Sequence, residues 1–442
     1  MTEARYYDIR CVRGETTLID IDNGVVESAG TSFFVRTVVR VLGPKGWGIL
    51  TRDHVDLDSK REIEALIEAA ARLAAVTRDR VDLADAPRAL LPVPPLAEDP
   101  RDVDLEEKTR LLAGIESAAR IPEVVNTRAR YTEGFDSIRF LDSNGSEFSY
   151  EAARSGFSVI AIASRNGVMQ MGSERDHITT GFNLRDKQAL GRKAGEVAVS
   201  LLDAKLAKGG AMRAVLDPEL AGVFTHEAVG HASEGDLVRE GASVLSGRIG
   251  ERIGCGDLVI VDDPSLHEFG FIPVDAEGVA VRRTEIIRDG ILTSFLHNRE
   301  TLAAVGDGVP GHARAEHGAP PIVRMSNTFI ENGDATYDEI MAECRDGILL
   351  IGSRGGQVDP GRGVFQFNAE YGYLIEGGEA TGMVRDVSLS GEILSTLHDI
   401  TLIGDDRRMS PGYCGKGGQT VPVSDGAPHL LLEGATIGGR GE

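Results

Sequence analysis

Two imidazoles and a carboxylate fall within six positions, His226-Glu227-Ala228-Val229-Gly230-His231. Nearly two hundred residues later a cysteine stands among glycines, in Pro411-Gly412-Tyr413-Cys414-Gly415-Lys416-Gly417-Gly418-Gln419. Neutral imidazole is the commonest metal ligand, and zinc accepts mixed nitrogen and thiolate donors. Brought together, His226, His231 and Cys414 would hold zinc with one tetrahedral position open, the arrangement of a catalytic and not a structural ion. Glu227, next to a ligand, is then placed to handle protons.

The spacing raises a geometric difficulty. In the familiar H-E-x-x-H helix the two histidines are four residues apart and share a face. Here they are five apart, a rotation of about 140° instead of about 40° on a regular helix. A break at Gly230, or a π-type bulge, would bring His231 back toward the ion. Set against this, a histidine in an apolar helix is often a hydrogen-bonded core residue, and short motifs arise by chance. Glu234 and Asp236 follow within a turn and are candidates to receive the second N–H of a metal-bound imidazole. A buried free thiol is the ordinary reading of a lone cysteine. The glycines around Cys414 point instead to a tight ligand loop; Cys11, Cys255 and Cys344 lack such surroundings and read as inert.

Around these residues the chain reads as α+β. In the first part, Thr31–Val41 is a strand with a turn at Gly43-Pro44, and Trp47–Thr51 is its return. Helical spacing covers 59–77, with Ser59 as N-cap, and then 105–121 and 185–206. Prolines at 87, 92, 94, 95 and 100 mark an extended connector near 84–104. Short strands are expected at 124–131, 137–142, 147–151 and 155–165, with a hairpin turn at Asn144-Gly145. Arg213–Leu216 reads as a strand, and Pro218 opens the helix that carries the His-Glu-His cluster. Beyond residue 240 the pattern is β-rich, with Tyr337–Arg345 the main helical candidate. The expectation is an N-terminal α/β domain with mixed sheets and helices over 1–210, and a β-rich C-terminal domain over 211–442 carrying the metal site.

Bulk properties narrow the function. The 442 residues suffice for two or three cored domains. A formal net charge of -22 argues against nucleic acid, which needs clustered Lys and Arg. The N-terminus lacks the apolar stretch of a signal peptide, and no apolar run approaches a membrane span. Four widely spaced cysteines do not form a disulfide framework, which places the chain in a reducing cytoplasm.

Several stretches together resemble the TldD/PmbA family of metalloproteases, in its TldD-like branch. They are His226–His231 continuing to Glu234-Gly235-Asp236; Met325-Ser326-Asn327-Thr328; Gly355-Gly356-Gln357-Val358-Asp359; Tyr373-Leu374-Ile375-Glu376; and Cys414–Gln419 with Val421-Pro422-Val423. Their shared order spans residues 213–438, roughly half the chain. The resemblance implies zinc held by His226, His231 and Cys414, with Glu227 as general base. It implies pairing, either with an identical copy or with a PmbA/TldE-like paralogue lacking the motif, and a substrate of unfolded peptide threaded as an extended strand. Gly355, Gly356 and Gln357 are candidates to meet that strand, the plain alternative being a turn. A thiolate gives zinc more charge than a third imidazole would, so turnover is expected to be modest. Two other readings stay open at this point: a non-catalytic assembly subunit, and a zinc hydrolase of small amides.

Overall fold

The structure, a computed structural model, describes residues 4–441. Its first half is built on one antiparallel sheet of six strands: β1 (Tyr6–Asp22), β2 (Val25–Gly43), β3 (Gly46–Asp53), β4 (Val124–Asp142), β5 (Glu147–Arg165) and β6 (Val168–Ile178), in the order β3-β2-β1-β4-β5-β6. Alternation along β1 gives the sheet two different faces. Ile9, Cys11, Ile19 and Ile21 point at helices α1 (Lys60–Ala74), α2 (Leu105–Ala118) and α3 (Gln188–Asp203), and are buried there. Asp8 and Arg10 point the other way, toward the second half of the chain. Ser59 caps α1 by accepting from Glu62 N–H, as its sequence suggests.

Two pairs of expected strands prove to be single strands. Residues 124–131 and 137–142 run continuously as β4, and 147–151 and 155–165 as β5. The intervening residues, among them Gly134 and Ala152-Ala153-Arg154, keep their ladder partners across the sheet. β1 and β6 lie outside the strands expected from the sequence. Residues 84–97 are extended, as their prolines demand, and bond along the way to both halves: Ala84 N–H to Arg299 C=O, Leu91 N–H to Pro273 C=O, and Ala97 N–H to Thr180 C=O.

The second half is β-rich, and here parallel and antiparallel pairings mix. One sheet of six short strands places Ile260–Asp262 beside Asn327–Ile330, then Gln419–Ala427, with Arg408–Lys416 at its edge. A larger sheet runs from an edge strand, Gly356–Asp359, through Leu430–Gly438 and Gly210–Leu216. Helix α4 (Pro218–Phe224), capped by Asp217, leaves this larger sheet and lies directly on Gln419–Ala427. A side chain at Gly222 would meet the Gly426 backbone at 3.0 Å, a tight contact that glycine avoids. Short helices at Gly235–Arg239, Arg299–Val305 and Ile393–Asp399 join the expected one at Tyr337–Cys344. They are one or two turns long, too short to establish a helical period.

Candidate metal centre

The histidine spacing is resolved by local helix geometry. Helix α4 passes into a π-helical turn at Thr225–Gly230 and then a 3-10 turn at His231–Ser233. His231 N–H donates to the His226 carbonyl, five residues back, which stacks the two residues on one side. Of the two routes open from sequence, the bulge is the one taken. Gly230 does not break the helix; its φ is −56°. Its lack of a side chain matters for packing instead, because a Cβ there would meet the buried Met325 Sδ at 1.9 Å.

Cys414 also differs from expectation. It lies on an edge strand, paired with Val421, and not in a loop wrapped around a ligand. The glycines that follow it form a two-residue hairpin turn, Gly417 and Gly418 at φ +58° and +75°, joining Lys416 to Gln419. The turn fixes the register that points the sulfur at the π turn. Arg324, fully buried, donates to the Cys414 and Gln419 carbonyls and anchors this hairpin from below.

His226, His231 and Cys414 are thus brought together, each offering a ligand atom within 4.8 Å of the others. The rings are nearly perpendicular, at 85°. Zinc–nitrogen bonds of about 2.0–2.1 Å and a zinc–sulfur bond of about 2.3 Å separate tetrahedral ligand atoms by roughly 3.3–3.6 Å. The His231 Nε2 to Cys414 Sγ distance is 3.3 Å. His226 Nδ1 is buried and has no hydrogen-bond partner among the described residues. The donor set and its spacing fit a zinc ion.

The electrostatics agree. Burial opposes a charged Cys414, but the two imidazoles beside it prevail and bring the thiol down to about 4. Burial likewise opposes charge on His226, yet the Cys414 sulfur raises it to about 8. His231 moves the same way, burial being outweighed by Glu234 and Cys414. Glu234 is fully buried and takes His231 Nδ1 at 2.8 Å, which leaves Nε2 facing the sulfur. Asp236 does not touch a histidine. It holds Lys416 Nζ at 2.7 Å through both carboxylate oxygens, and Lys416 reaches on to Glu234 at 3.1 Å. Glu227 sits at the open side, 3.8 Å from His231 Nε2 and 31% exposed.

Gly355, Gly356 and Gln357 lie at the start of the exposed edge strand, which passes beside the π turn. Gly355 takes φ +81° with open space around it. At Gly356 a side chain would meet Gln366 O and the Phe367 ring at 2.3 Å, so the neighbouring strand accounts for that glycine. Lys416, Arg324 and the buried Asp262 were given no role from sequence. Asp262 Oδ1 accepts from Ser326 N–H and the Thr328 hydroxyl, within the Met325–Thr328 block. Only their neighbours in sequence signal them; their convergence is tertiary.

Comparison with known proteins covers nearly all of the chain. Residues 209–439 match the PmbA/TldA metallopeptidase C-terminal domain, 98–202 its central domain and 7–74 its domain 1. A metalloprotease of Archaeoglobus fulgidus is 40% identical over 98% of this chain and 100% of its own length. A zinc metalloprotease TldD homolog of Saccharolobus solfataricus is 31% identical over 72% of each chain. The fold matches the crystal structure of TldE from Thermococcus kodakarensis with a TM-score of 0.79, at 20% identity over 98% of this chain and 97% of that one. With domain matches that follow one another along the chain and a relative so similar from end to end, the chain belongs to the PmbA/TldD family of metallopeptidases.

Proposed function

We propose that this chain is a zinc-dependent peptidase of extended, unfolded peptides, with Glu227 as its general base. The observation that carries the reading is the convergence of His226, His231 and Cys414 beside Glu227. Zinc at such a site supplies a Lewis acid and lowers the pKa of a bound water to about 7. Glu227 takes the proton of the attacking water and returns it to the departing amine, its partial exposure letting it face a substrate. Glu234 holds the His231 ring with Nε2 toward the centre, while Lys416 balances the Glu234 charge. The edge strand Gly356–Asp359, running beside the π turn, offers unpaired main-chain groups to an added strand of substrate with little regard for its side chains.

The division at residue 210 belongs to the same reading, the N-terminal half covering the C-terminal half that bears the centre. Among the described residues no helix is long and apolar enough to cross a membrane. Four unpaired cysteines suit a reducing cytoplasm. A motif-less TldE-like paralogue or a second copy is the proposed partner.

Glu227→Gln tests the proton-transfer role. It is expected to keep zinc at wild-type stoichiometry by elemental analysis while peptide hydrolysis falls about 10²- to 10⁴-fold. A metal-replete, fully active variant would refute the role.

A further inference from the structure

Alongside the Cys414 strand, between the two halves of the chain, lies a cavity of about 320 Å³. Tyr413 and Val421, the neighbours of Cys414 along the chain and across the ladder, both line it. Three arginines also line it: Arg10 from β1, Arg154 from β5 and Arg314 from the second half. None of the three forms an ion pair among the described residues, in a chain with 69 acidic and 47 basic residues. Arg314 is only 4% exposed, and its recorded bond, from Nη1, goes to the neutral Met325 carbonyl. Arg154 likewise donates to carbonyls, those of Phe269 and Phe271. Arg10 Nη1 is buried with no partner among the described residues.

The carboxylates at the cavity wall are already engaged elsewhere. Glu133 holds Lys108 and Tyr131, Asp136 holds His317, and Glu316 accepts from Thr420 N–H. Guanidinium groups keep their protons under all ordinary conditions, so they cannot escape burial by neutralising. Arg314 is buried and Arg10 and Arg154 are half-buried; Asp262 acts on Arg314 and Asp136 on Arg154 without a salt bridge, so the three guanidinium groups still have donors to offer an incoming anion. Planar donors of this kind suit carboxylate, and Phe269, Phe271 and Tyr150 add apolar wall beside them.

We propose that this cavity is a carboxylate-binding subsite, in which Arg10, Arg154 and Arg314 anchor an acidic group of the peptide substrate beside the metal centre. The carboxylate is either the C-terminal one or that of a Glu or Asp side chain. The proposal rests on the peptidase reading, and its test is arranged so that the two can fail separately.

Three matched unstructured peptides serve as probes: one free of Asp and Glu with a C-terminal amide, the same sequence as a free acid, and the amide with one internal Glu. Binding to the zinc-loaded protein is measured by fluorescence anisotropy, and cleavage by quenched-fluorescence release. One or both acidic peptides should bind at least about tenfold more tightly than the neutral amide, with the cleavage difference carried by KM. Preference for the free acid alone identifies the C-terminal carboxylate; preference for the internal Glu alone identifies a side chain. Arg10→Gln breaks no recorded side-chain hydrogen bond and should bring the preference to within about threefold, as should Arg314→Gln if it folds. Equal binding of all three peptides, or a preference that survives Arg10→Gln intact, overturns the subsite. Binding that follows this pattern without any cleavage would overturn the peptidase reading and leave the subsite standing.

Discussion

At the scale of single residues, the centre works through protons exchanged between Cys414 and the two histidines. With the sulfur down at about 4 and His226 up at about 8, the metal-free site at neutral pH is a thiolate facing imidazolium rings. Coordination requires both rings to be neutral. The sign follows directly: zinc binding displaces protons from imidazoles whose pKa is raised, and none from a thiol already ionised. About two protons should therefore be released per zinc at pH near 7, and the His226 share should disappear as the pH rises well past about 8. Calorimetry in buffers of different ionisation heat measures this number. Cys414→Ala removes the group that holds His226 charged, so both the released protons and the zinc content should fall. Undiminished zinc occupancy in that variant would take the sulfur out of the site. Glu234 strengthens the argument, because it fixes which nitrogen of His231 is free to bind.

At the scale of elements, sequence patterns reveal chemistry more readily than the geometry that delivers it. The residue types of the centre were legible, since two histidines, a glutamate and a glycine-flanked cysteine are unusual company. The π turn was legible only as one of two ways out of a spacing conflict, because main-chain hydrogen-bond register leaves no composition signal. Helices α1 to α3 could be read from their 3.6-residue period, and so could the hairpins with clear turn signals. The full length of β4 and β5 could not, since their internal glycines and charges look like interruptions until the neighbouring strands are in place. Gly230 shows how this matters. Its backbone is ordinary helix, so alanine would suit the local conformation, yet the Met325 sulfur occupies the space a Cβ needs. Gly230→Ala should cost about 1–3 kcal/mol by overpacking and disturb the ring positions, lowering zinc affinity along with the thermal midpoint. A variant that gains stability with unchanged zinc affinity would show that helix propensity, not packing, governs the position.

At the scale of the whole molecule, the two halves are joined by buried charge as well as by apolar contact. Arg40 on β2 takes Asp8 on β1 in a two-point contact at 2.6 and 3.0 Å, and reaches Glu277 of the second half at 3.1 Å. All three are nearly inaccessible. The same guanidinium lies 4.6 Å from the ring centre of Trp47, whose indole N–H donates to Glu300 across the same junction. Trp47 is the one tryptophan of the chain, so its fluorescence reports on this junction specifically. Removing the shared cation strands two carboxylates together out of water, a far larger loss than deleting a surface pair. Arg40→Ala should therefore lower stability by about 3–5 kcal/mol. In urea, Trp47 emission should shift to the red at lower denaturant than far-UV circular dichroism is lost, as the halves part before either unfolds. The carboxylate cavity spans the same junction, with Arg10 and Arg154 on one side and Arg314 on the other. Acid-peptide binding should then be lost along the fluorescence transition and not along the dichroism transition. Coincident transitions at an unchanged midpoint would mean that the buried charges do not hold the halves together.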